Sequence, residues 1–269
     1  MAEWITDADD PRIAGYREVR ERDLVGRRGL FVAEGAVVLR CLLESPVARP
    51  VSILVAEARL PGLSDMVGRA PKDTPVYVAA QPVMDRIVGF PIHRGVLALG
   101  RTPEPRDLAS ALDGAVGEAL VLALSGIANH DNMGGLFRNA AAFGADAVVL
   151  DSACCDPFYR KALRVSVGGV LKVPQVRLAP GADLVEGLRA RGFRVLALSP
   201  SGGQDLADVR GGGRVAVVLG AEGPGLAPEV LARCQTVRIP MASGFDSLNV
   251  ATTSGIVLHH LRSRSGDEG

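Results

Sequence analysis

Large aromatic side chains are scarce in this sequence. Phe, Trp and Tyr make up 4 % of the 269 residues, whereas apolar residues reach 48 % and glycine occurs 32 times. An all-β sandwich would be expected to hold more Thr and Tyr. Short runs rich in Val, Leu and Ala instead alternate with helical stretches, which favours an α/β sheet protein. The length and the apolar fraction allow two modest domains, each with its own core.

Cysteine spacing and long apolar runs exclude two further classes of protein. The four cysteines, Cys41, Cys154, Cys155 and Cys234, include no Cys-x-x-Cys pair. We therefore predict no metal site and expect reduced, mostly buried thiols. No apolar run approaches 18 residues, and the acidic first twelve residues hold no apolar core of signal length. We expect a cytoplasmic protein without a membrane partner.

An excess of charge of one sign is also missing. The 30 basic residues balance the 30 acidic ones, so overall charge alone would not hold this protein on nucleic acid. A basic patch is still compatible with that balance. Residues 12–28 contain six arginines against three acidic residues and are predicted to form a locally basic first helix. The alternative is a solvated helix face with internal ion pairs.

The chain reads as two domains joined by a connector. Up to residue 101, four short apolar runs bounded by Gly or Pro are interleaved with helical stretches, which indicates a compact α/β unit. Residues 101–117 have two prolines and then glycine, the composition of a connector. We predict domains over residues 1–104 and 118–269, with a linker over 105–117.

The second domain is predicted to be a mostly parallel sheet of six strands. Its strand candidates are ALVLALSG, DAVVLD, PQVRLA, FRVLALSP, RVAVVLG and VRIP, each followed by a helical or loop stretch. Three of the loops are rich in Gly or Asn. Because ligands bind at the carboxyl ends of parallel strands in open α/β sheets, these three loops are the candidate site.

The first of these loops lies in residues 125–150 and places polar groups around the start of a helix. Asn132, Gly134 and Arg138 are the residues concerned. Free backbone N–H groups and a guanidinium together suit an anionic group such as phosphate. The alternative is an Asn cap followed by a surface Arg.

The second loop is VLGAEGPGL, residues 218–226, in which Glu222 lies among Gly220, Gly223 and Gly225. Glycines there let the backbone approach a ligand closely or adopt positive φ. A dinucleotide fold is the obvious competitor, since Asp151 lies about where a ribose-binding acid is expected. That fold, however, needs GxGxxG after the first strand, and here the turn is GxxGxG after a late strand. This counts against NAD and against the common Rossmann-type methyltransferases.

The third loop lies in the segment 237–261 and follows the strand VRIP. Ser247 and Asn249 are the polar groups at the mouth of the apolar helix that the loop precedes. Alone, this stretch predicts only a capped C-terminal helix.

In this order and spacing, the three loops resemble the SpoU/TrmH branch of the SPOUT RNA methyltransferases. Asn132, Gly134 and Arg138 match the first motif of that family, LGAEGPGL the second, and IPM followed by SLNVA the third. The segment 156–174, with Arg164, Ser166 and Gly168, looks like the connecting segment of the family. Residues 16–100 are similar to the ribosomal-protein-like substrate-binding domain that often precedes the catalytic domain.

One departure from the family lies just ahead of Asn132. The family usually has Asp-Pro there, whereas this chain reads Asn129, His130, Asp131. The turn that Pro would stiffen is therefore missing. His130 is interpreted as a solvated or hydrogen-bonded loop residue, and the histidines near the end of the last helix are interpreted in the same way.

The resemblance implies a knotted α/β fold: a trefoil-knotted, mostly parallel sheet preceded by a small α/β ribosomal-protein-like domain. It implies that S-adenosylmethionine is the cofactor, that the protein is a homodimer whose active site is completed across the interface, and that RNA is the substrate. By position, the expected cofactor contacts are Ser199, Gly220, Glu222, Gly225, Ile239 and Leu248.

The reaction implied is attack by a ribose 2′-hydroxyl of tRNA or rRNA on the methyl group of the sulfonium. The family gives the key role to the residue that matches Arg138. A guanidinium rarely gives up its proton, so we interpret Arg138 as a phosphate anchor that polarises the hydroxyl. The sequence leaves open whether Arg138 or a water removes the proton. Asn132, Glu222, Ser247 and Asn249 would orient Arg138 and the ribose.

RNA binding is assigned to basic residues outside these loops, and two other functions remain as alternatives. A catalytically silent RNA-binding protein with the same knot is disfavoured because Arg138, Glu222 and Asn249 are all retained. An NAD-linked oxidoreductase would be recognised by the cofactor that raises the melting temperature. The residues assigned to RNA binding are Arg20, Arg22, Arg27, Arg28, Lys161 and Arg164.

Overall fold

The structure is a computed structural model that describes residues 2–17, 21–89, 94–112, 115, 117–243, 245 and 247–263, with the backbone alone at 21–23. The chain divides into two compact units. The first comprises Met1–Glu104 and Pro157–Lys172, and the second comprises Pro105–Asp156 and Val173–Gly269. The sequence analysis had placed residues 157–172 with the second domain, whereas their contacts group them with the first unit.

The first unit contains a mixed five-stranded sheet of order β1-β4-β3-β5-β2. Strand β5 runs antiparallel to β2 and β3, while β4 runs parallel to β1 and β3. The four predicted strands are confirmed as β2 to β5, and β1 was not predicted. The strands are β1 (Ala2–Ile5), β2 (Leu30–Glu34), β3 (Arg49–Ala56), β4 (Val76–Ala79) and β5 (Val96–Arg101).

The second unit is an α/β structure with a parallel sheet of order β10-β12-β9-β11-β6-β7-β8. The mostly parallel sheet is thus confirmed, but the prediction of six strands is wrong. Strand β10 is a seventh, and two residues are too few for any periodicity to show. The strands are β6 (Ala119–Leu124), β7 (Ala147–Leu150), β8 (Gln175–Arg177), β9 (Arg194–Leu198), β10 (Gln204–Asp205), β11 (Arg214–Leu219) and β12 (Gln235–Arg238).

The described residues include ten α-helices, numbered along the chain. None of them is both long and apolar enough to cross a membrane. They are α1 (Glu21–Arg28), α2 (Ala36–Leu43), α3 (Leu60–Val67), α4 (Gln81–Val88), α5 (Leu108–Ala111), α6 (His130–Ala142), α7 (Arg160–Val165), α8 (Leu184–Arg189), α9 (Pro228–Leu231) and α10 (Val250–Ser263).

The single helix predicted over residues 12–28 is wrong. A 3₁₀ turn, Pro11–Tyr16, begins at the Asp10 cap and ends where Arg17 is extended, with φ −67° and ψ 164°. The Arg17 guanidinium contacts the Asp9 side chain and two backbone carbonyls, which holds this break in the helix. Among the described residues of this range, the α-helical part is α1, Glu21–Arg28.

Helices α6 and α10 pack closely, which brings the first and third loops together. A Cβ on Gly135 would lie 2.6 Å from the Cβ of Ala251, so only glycine permits this approach. The Asn139 amide donates to the Ala251 carbonyl at 2.6 Å and to the buried Ser254 hydroxyl at 2.9 Å. These bonds fix α10 against α6 and thereby set the position of the loop that precedes α10.

Candidate active site

The second unit holds a cavity of about 400 Å³ at the carboxyl ends of β9, β11 and β12. These three strands are neighbours in the sheet, so the loops that follow them meet at one edge. All six residues predicted as cofactor contacts line the cavity: Ser199, Gly220, Glu222, Gly225, Ile239 and Leu248. Apolar Leu198, Leu219 and Val237 also line it, which the sequence analysis missed although each lies one or two residues from a predicted contact.

Gly220 is where the backbone of the second loop closes on itself. A Cβ at this position would lie 2.4 Å from the carbonyl carbon of Gly225, a distance that no side chain tolerates. The Gly225 N–H donates to the Ala221 carbonyl at 3.1 Å and closes the turn. Gly223 and Gly225 have φ of +85° and +69°, which glycine adopts readily. At its three glycines the loop therefore offers backbone to the cavity, and Glu222 adds a polar side chain.

Asn249 connects all three loops through one side chain. Its Oδ1 accepts from the Ala251 and Thr252 N–H groups and caps α10. That fixes the amide orientation, so Nδ2 faces the other way and donates to Asn132 Oδ1 and to Glu222 Oε1, both at 2.9 Å. Ser247, Asn249 and Glu222 line the cavity, and Asn132 lies behind Asn249 with 7 % of its surface exposed.

The turn ahead of Asn132 is organised without the family's proline. The Asn129 side chain accepts from the Asp131 N–H at 2.7 Å and from the Asn132 N–H at 3.4 Å, and so caps α6. Helix α6 begins at His130. An Asn cap therefore organises this turn in a chain that lacks the proline expected from the resemblance.

Arg138 is not brought to the cavity within one chain. It is exposed on α6 and is absent from the cavity lining. Six residues separate it from Asn132, which places the two side chains about 120° apart around the helix axis. The structure thus unites Asn132, Glu222, Ser247 and Asn249 and leaves Arg138 on a different face of α6.

The predicted RNA-binding residues all belong to the first unit. Arg27 and Arg28 are exposed at the end of α1, and Lys161 and Arg164 are exposed on α7. Arg20 lies outside the described residues, and of Arg22 only the backbone is described.

Cysteine chemistry has no part in the site. Burial raises the pKa of Cys154 to about 12 and that of Cys155 to about 11, so both thiols stay protonated at neutral pH. Among the described residues, no group of three or more His, Cys, Asp or Glu side chains is placed to hold a metal ion.

A parallel sheet with a glycine-lined cavity at its carboxyl edge defines an α/β protein whose cavity has the size of a small-molecule site. Residues 119–259 match the SpoU rRNA methylase family. An uncharacterized tRNA/rRNA methyltransferase of Mycobacterium tuberculosis is 40 % identical over 97 % of this chain and 92 % of its own length. The chain belongs to the SpoU family of RNA methyltransferases.

Solved structures share the fold over nearly the whole chain. An AdoMet-bound rRNA methyltransferase from Sinorhizobium meliloti has a TM-score of 0.81 at 23 % identity, covering 97 % of this chain and 98 % of its own. A protein assigned to the TrmH family from Porphyromonas gingivalis has a TM-score of 0.78 at 27 % identity, covering 96 % and 99 %. The likeness covers both units.

Proposed function

We propose that this chain transfers the methyl group of S-adenosylmethionine to a ribose 2′-hydroxyl of tRNA or rRNA. The observation that carries the proposal is the cavity in the second unit, where the three motif loops meet and Asn249 connects them. The AdoMet-bound relative from Sinorhizobium meliloti, which has the same fold, supports the choice of cofactor.

The cavity fits this cofactor in size and chemistry. Its volume lies within the range of about 300–1,000 Å³ typical of small-molecule sites. Leu198, Leu219 and Val237 give it an apolar floor for an adenine ring, and the turn around Gly220 presents backbone groups for hydrogen bonds. When bound, the cofactor supplies an electrophilic methyl sulfonium. The protein itself has to hold and align the two reactants.

The residues around Asn249 would orient the ribose at the mouth of the cavity. The Asn249 Nδ2 atom holds both Asn132 and Glu222, so these polar groups are positioned before any substrate arrives. Glu222 and Ser247 are exposed there and can contact a ribose hydroxyl. Arg138 would anchor the adjacent phosphate through its planar fork and polarise the hydroxyl. The proton then leaves to a water, or to Arg138 provided that its guanidinium has first given up a proton.

Because Arg138 lies away from the cavity of its own chain, we propose a homodimer in which Arg138 of a second copy completes the site. Exposed apolar side chains of the third loop and of α10 support such an interface: Leu248 at the cavity is 38 % exposed, and Ile256 on α10 is 40 % exposed. A trefoil knot made by the C-terminal segment is part of the same proposal, supported by β12 lying between β9 and β10.

The first unit is proposed to be the RNA-binding domain. The linker is proposed over residues 105–117, although α5 within that range packs in the core of the second unit. The exposed Arg27, Arg28, Lys161 and Arg164 support this assignment, and Arg20 and Arg22 remain part of it. Action on tRNA or rRNA would place the protein in the cytoplasm.

The decisive experiment combines calorimetry with transfer of a labelled methyl group. We expect the chain to bind S-adenosylmethionine without added metal, to bind no NAD, and to methylate 2′-hydroxyls in RNA from a strain that lacks the protein. Arg138→Ala should keep the cofactor affinity and lower transfer by orders of magnitude, since positioning contributes several kcal/mol. Arg138→Lys should stay badly impaired if the planar fork matters.

Three results would count against this function. Transfer by Arg138→Ala at the parental rate would refute the role of Arg138. Cofactor binding without transfer to any RNA would favour the silent RNA-binding protein. Binding of NAD, or loss of activity with chelators, would refute the cofactor.

A further inference from the structure

A cluster of arginines surrounds Glu34 at one end of the sheet in the first unit. Glu34 is the last residue of β2, Arg94 lies just before β5, and Arg160 begins α7. The Nε atoms of Arg94 and Arg160 each lie 3.9 Å from a different oxygen of the Glu34 carboxylate. Stacking of Phe158 on Phe31, with ring centroids 5.0 Å apart, holds the start of the α7 segment against β2.

The burial of the three side chains shows which charges face solvent. The Glu34 side chain is only 11 % exposed, whereas that of Arg94 is 51 % exposed and that of Arg160 is 34 % exposed. One carboxylate therefore lies beneath two guanidinium groups. The three groups together carry one net positive charge, and the two guanidinium groups are the more exposed members.

Glu34 holds both arginines loosely compared with other ion pairs in the chain. Arg12 contacts Asp10 at 2.6 Å, Arg233 contacts Asp183 at 2.7 Å, and Arg238 contacts Asp205 at 2.6 Å. At 3.9 Å, the contacts of Glu34 exceed hydrogen-bond distance. Glu34 thus places the two guanidinium groups near each other without engaging them in short hydrogen bonds.

The backbone around Arg94 is adapted to this arrangement. Gly35 has φ +92°, and a Cβ there would lie 3.0 Å from Nη1 of Arg94. The Arg94 guanidinium therefore lies over Gly35, in space that any other residue would fill. Lys161 and Arg164 are exposed on α7, so the helix that begins at Arg160 bears two further positive charges.

We propose that Arg94 and Arg160, positioned by Glu34, bind backbone phosphates of the RNA substrate. Guanidinium groups suit phosphate because their N–H donors match its oxygens, and contacts of this kind fix the position of RNA without reading its sequence. The inference rests on the proposed function for the identity of the partner. It adds a site formed by three separate segments to the basic residues of α1 and α7.

The test is the salt dependence of binding to a fluorescein-labelled RNA stem-loop of mixed sequence. Arg94→Gln with Arg160→Gln should weaken binding roughly tenfold and flatten the slope of log affinity against log salt by roughly 0.7–0.9 per lost contact. Arg94→Lys with Arg160→Lys should retain most of the slope, because the charges remain. The matched control is Arg12→Gln with Arg69→Gln, two exposed arginines of the same unit that lie outside the cluster.

The outcomes separate this site from the proposed function. Parental affinity and slope in the Arg94/Arg160 glutamine variant, or an equal loss in the control, would overturn the site. A parent that binds the stem-loop with a steep slope, weakened only in the Arg94/Arg160 variant, supports the site even if no methyl is transferred. That result would refute the proposed methyltransferase activity and support the RNA site. A parent that does not bind the stem-loop overturns the site, while methyl transfer is judged separately.

Discussion

Gly220 is the residue whose replacement tests most directly how the cavity is built. Gly220→Ala would place a methyl group 2.4 Å from the backbone of Gly225, so the turn that lines the cavity must shift. Such overpacking costs about 1–3 kcal/mol, and we expect the affinity for S-adenosylmethionine to fall tenfold or more in calorimetry.

Gly203→Ala is the matched control for that substitution. A Cβ on Gly203 would meet only the Thr236 hydroxyl, at an ordinary 3.5 Å. We expect this variant to bind the cofactor as the parent does. Equal affinity in the Gly220 and Gly203 variants would contradict the view that the close backbone approach shapes the site.

Individual site residues differed in how far the sequence could predict them. Ser199, Gly220 and Ile239 lie in loops that directly follow strands, so their meeting in one cavity follows from a parallel sheet. The orientation of Asn249 was not predictable, because it depends on the cap of α10. The cluster of Glu34, Arg94 and Arg160 was missed because its members are far apart in sequence and share no motif.

At the scale of elements, Asp151 joins the loops that follow β6 and β7. One carboxylate oxygen accepts from the Ser125 hydroxyl and the Gly126 N–H, and the other accepts from the N–H groups of Ala153 and Cys154. Burial alone would raise the pKa of Asp151, but these hydrogen bonds outweigh it and hold the pKa below the usual 3.8. Asp151 is therefore structural here rather than a ribose ligand.

The pH dependence of stability should reveal this role. Because the folded-state pKa is lowered, the stabilisation is present above pH about 4 and is lost as pH falls through the folded-state pKa. In Asp151→Asn, an NH2 group replaces one of the two carboxylate oxygens. Whichever way the amide turns, this NH2 group faces two hydrogen-bond donors from which it cannot accept. We expect a loss of about 1–3 kcal/mol in urea denaturation at neutral pH. The difference from the parent should shrink as the pH falls below about 4.

Asp9→Asn is the control for Asp151→Asn. Asp9 pairs with Arg17 at the surface, where its side chain is 75 % exposed. Exposed pairs contribute about 0–1 kcal/mol, so little change is expected. An Asp151 variant that loses no more than this control, or whose deficit is unchanged at low pH, would show that the four hydrogen bonds contribute little.

Elements with strong apolar patterns were predicted, and those set by local polar contacts were not. Strand β6 is buried along its whole length and reads as a continuous apolar run. Strand β1 is short, with three of its four residues exposed, so it carries no such pattern. The break after Tyr16 depends on contacts of Arg17 with the preceding turn, which helical periodicity does not report.

At the scale of the whole molecule, the position of Arg138 predicts that two copies share each active site. Consider a heterodimer in which one copy carries Arg138→Ala and the other carries Asn249→Ala. If each site takes Asn249 from one copy and Arg138 from the other, one of the two sites keeps both residues intact. Tagged heterodimers of these two inactive variants should recover about half of the parental activity in an isologous dimer. Asn249→Ala loses the α10 cap, which contributes about 1 kcal/mol, and the hydrogen bonds to Asn132 and Glu222, each of which contributes about 1 kcal/mol, so circular dichroism should confirm that both chains fold.

The reciprocal heterodimer makes the test decisive. When one copy carries both substitutions and the other is parental, shared sites each lack one residue, and methyl transfer should be nearly abolished. If Arg138 acted within its own chain, the heterodimer with one doubly substituted copy would keep half of the parental activity. The heterodimer with one substitution in each copy would then have none. A monomer that is fully active in analytical ultracentrifugation and transfer assays would also rule out the shared site. The two heterodimers thus assign Arg138 to its own cavity or to that of its partner by opposite patterns of activity.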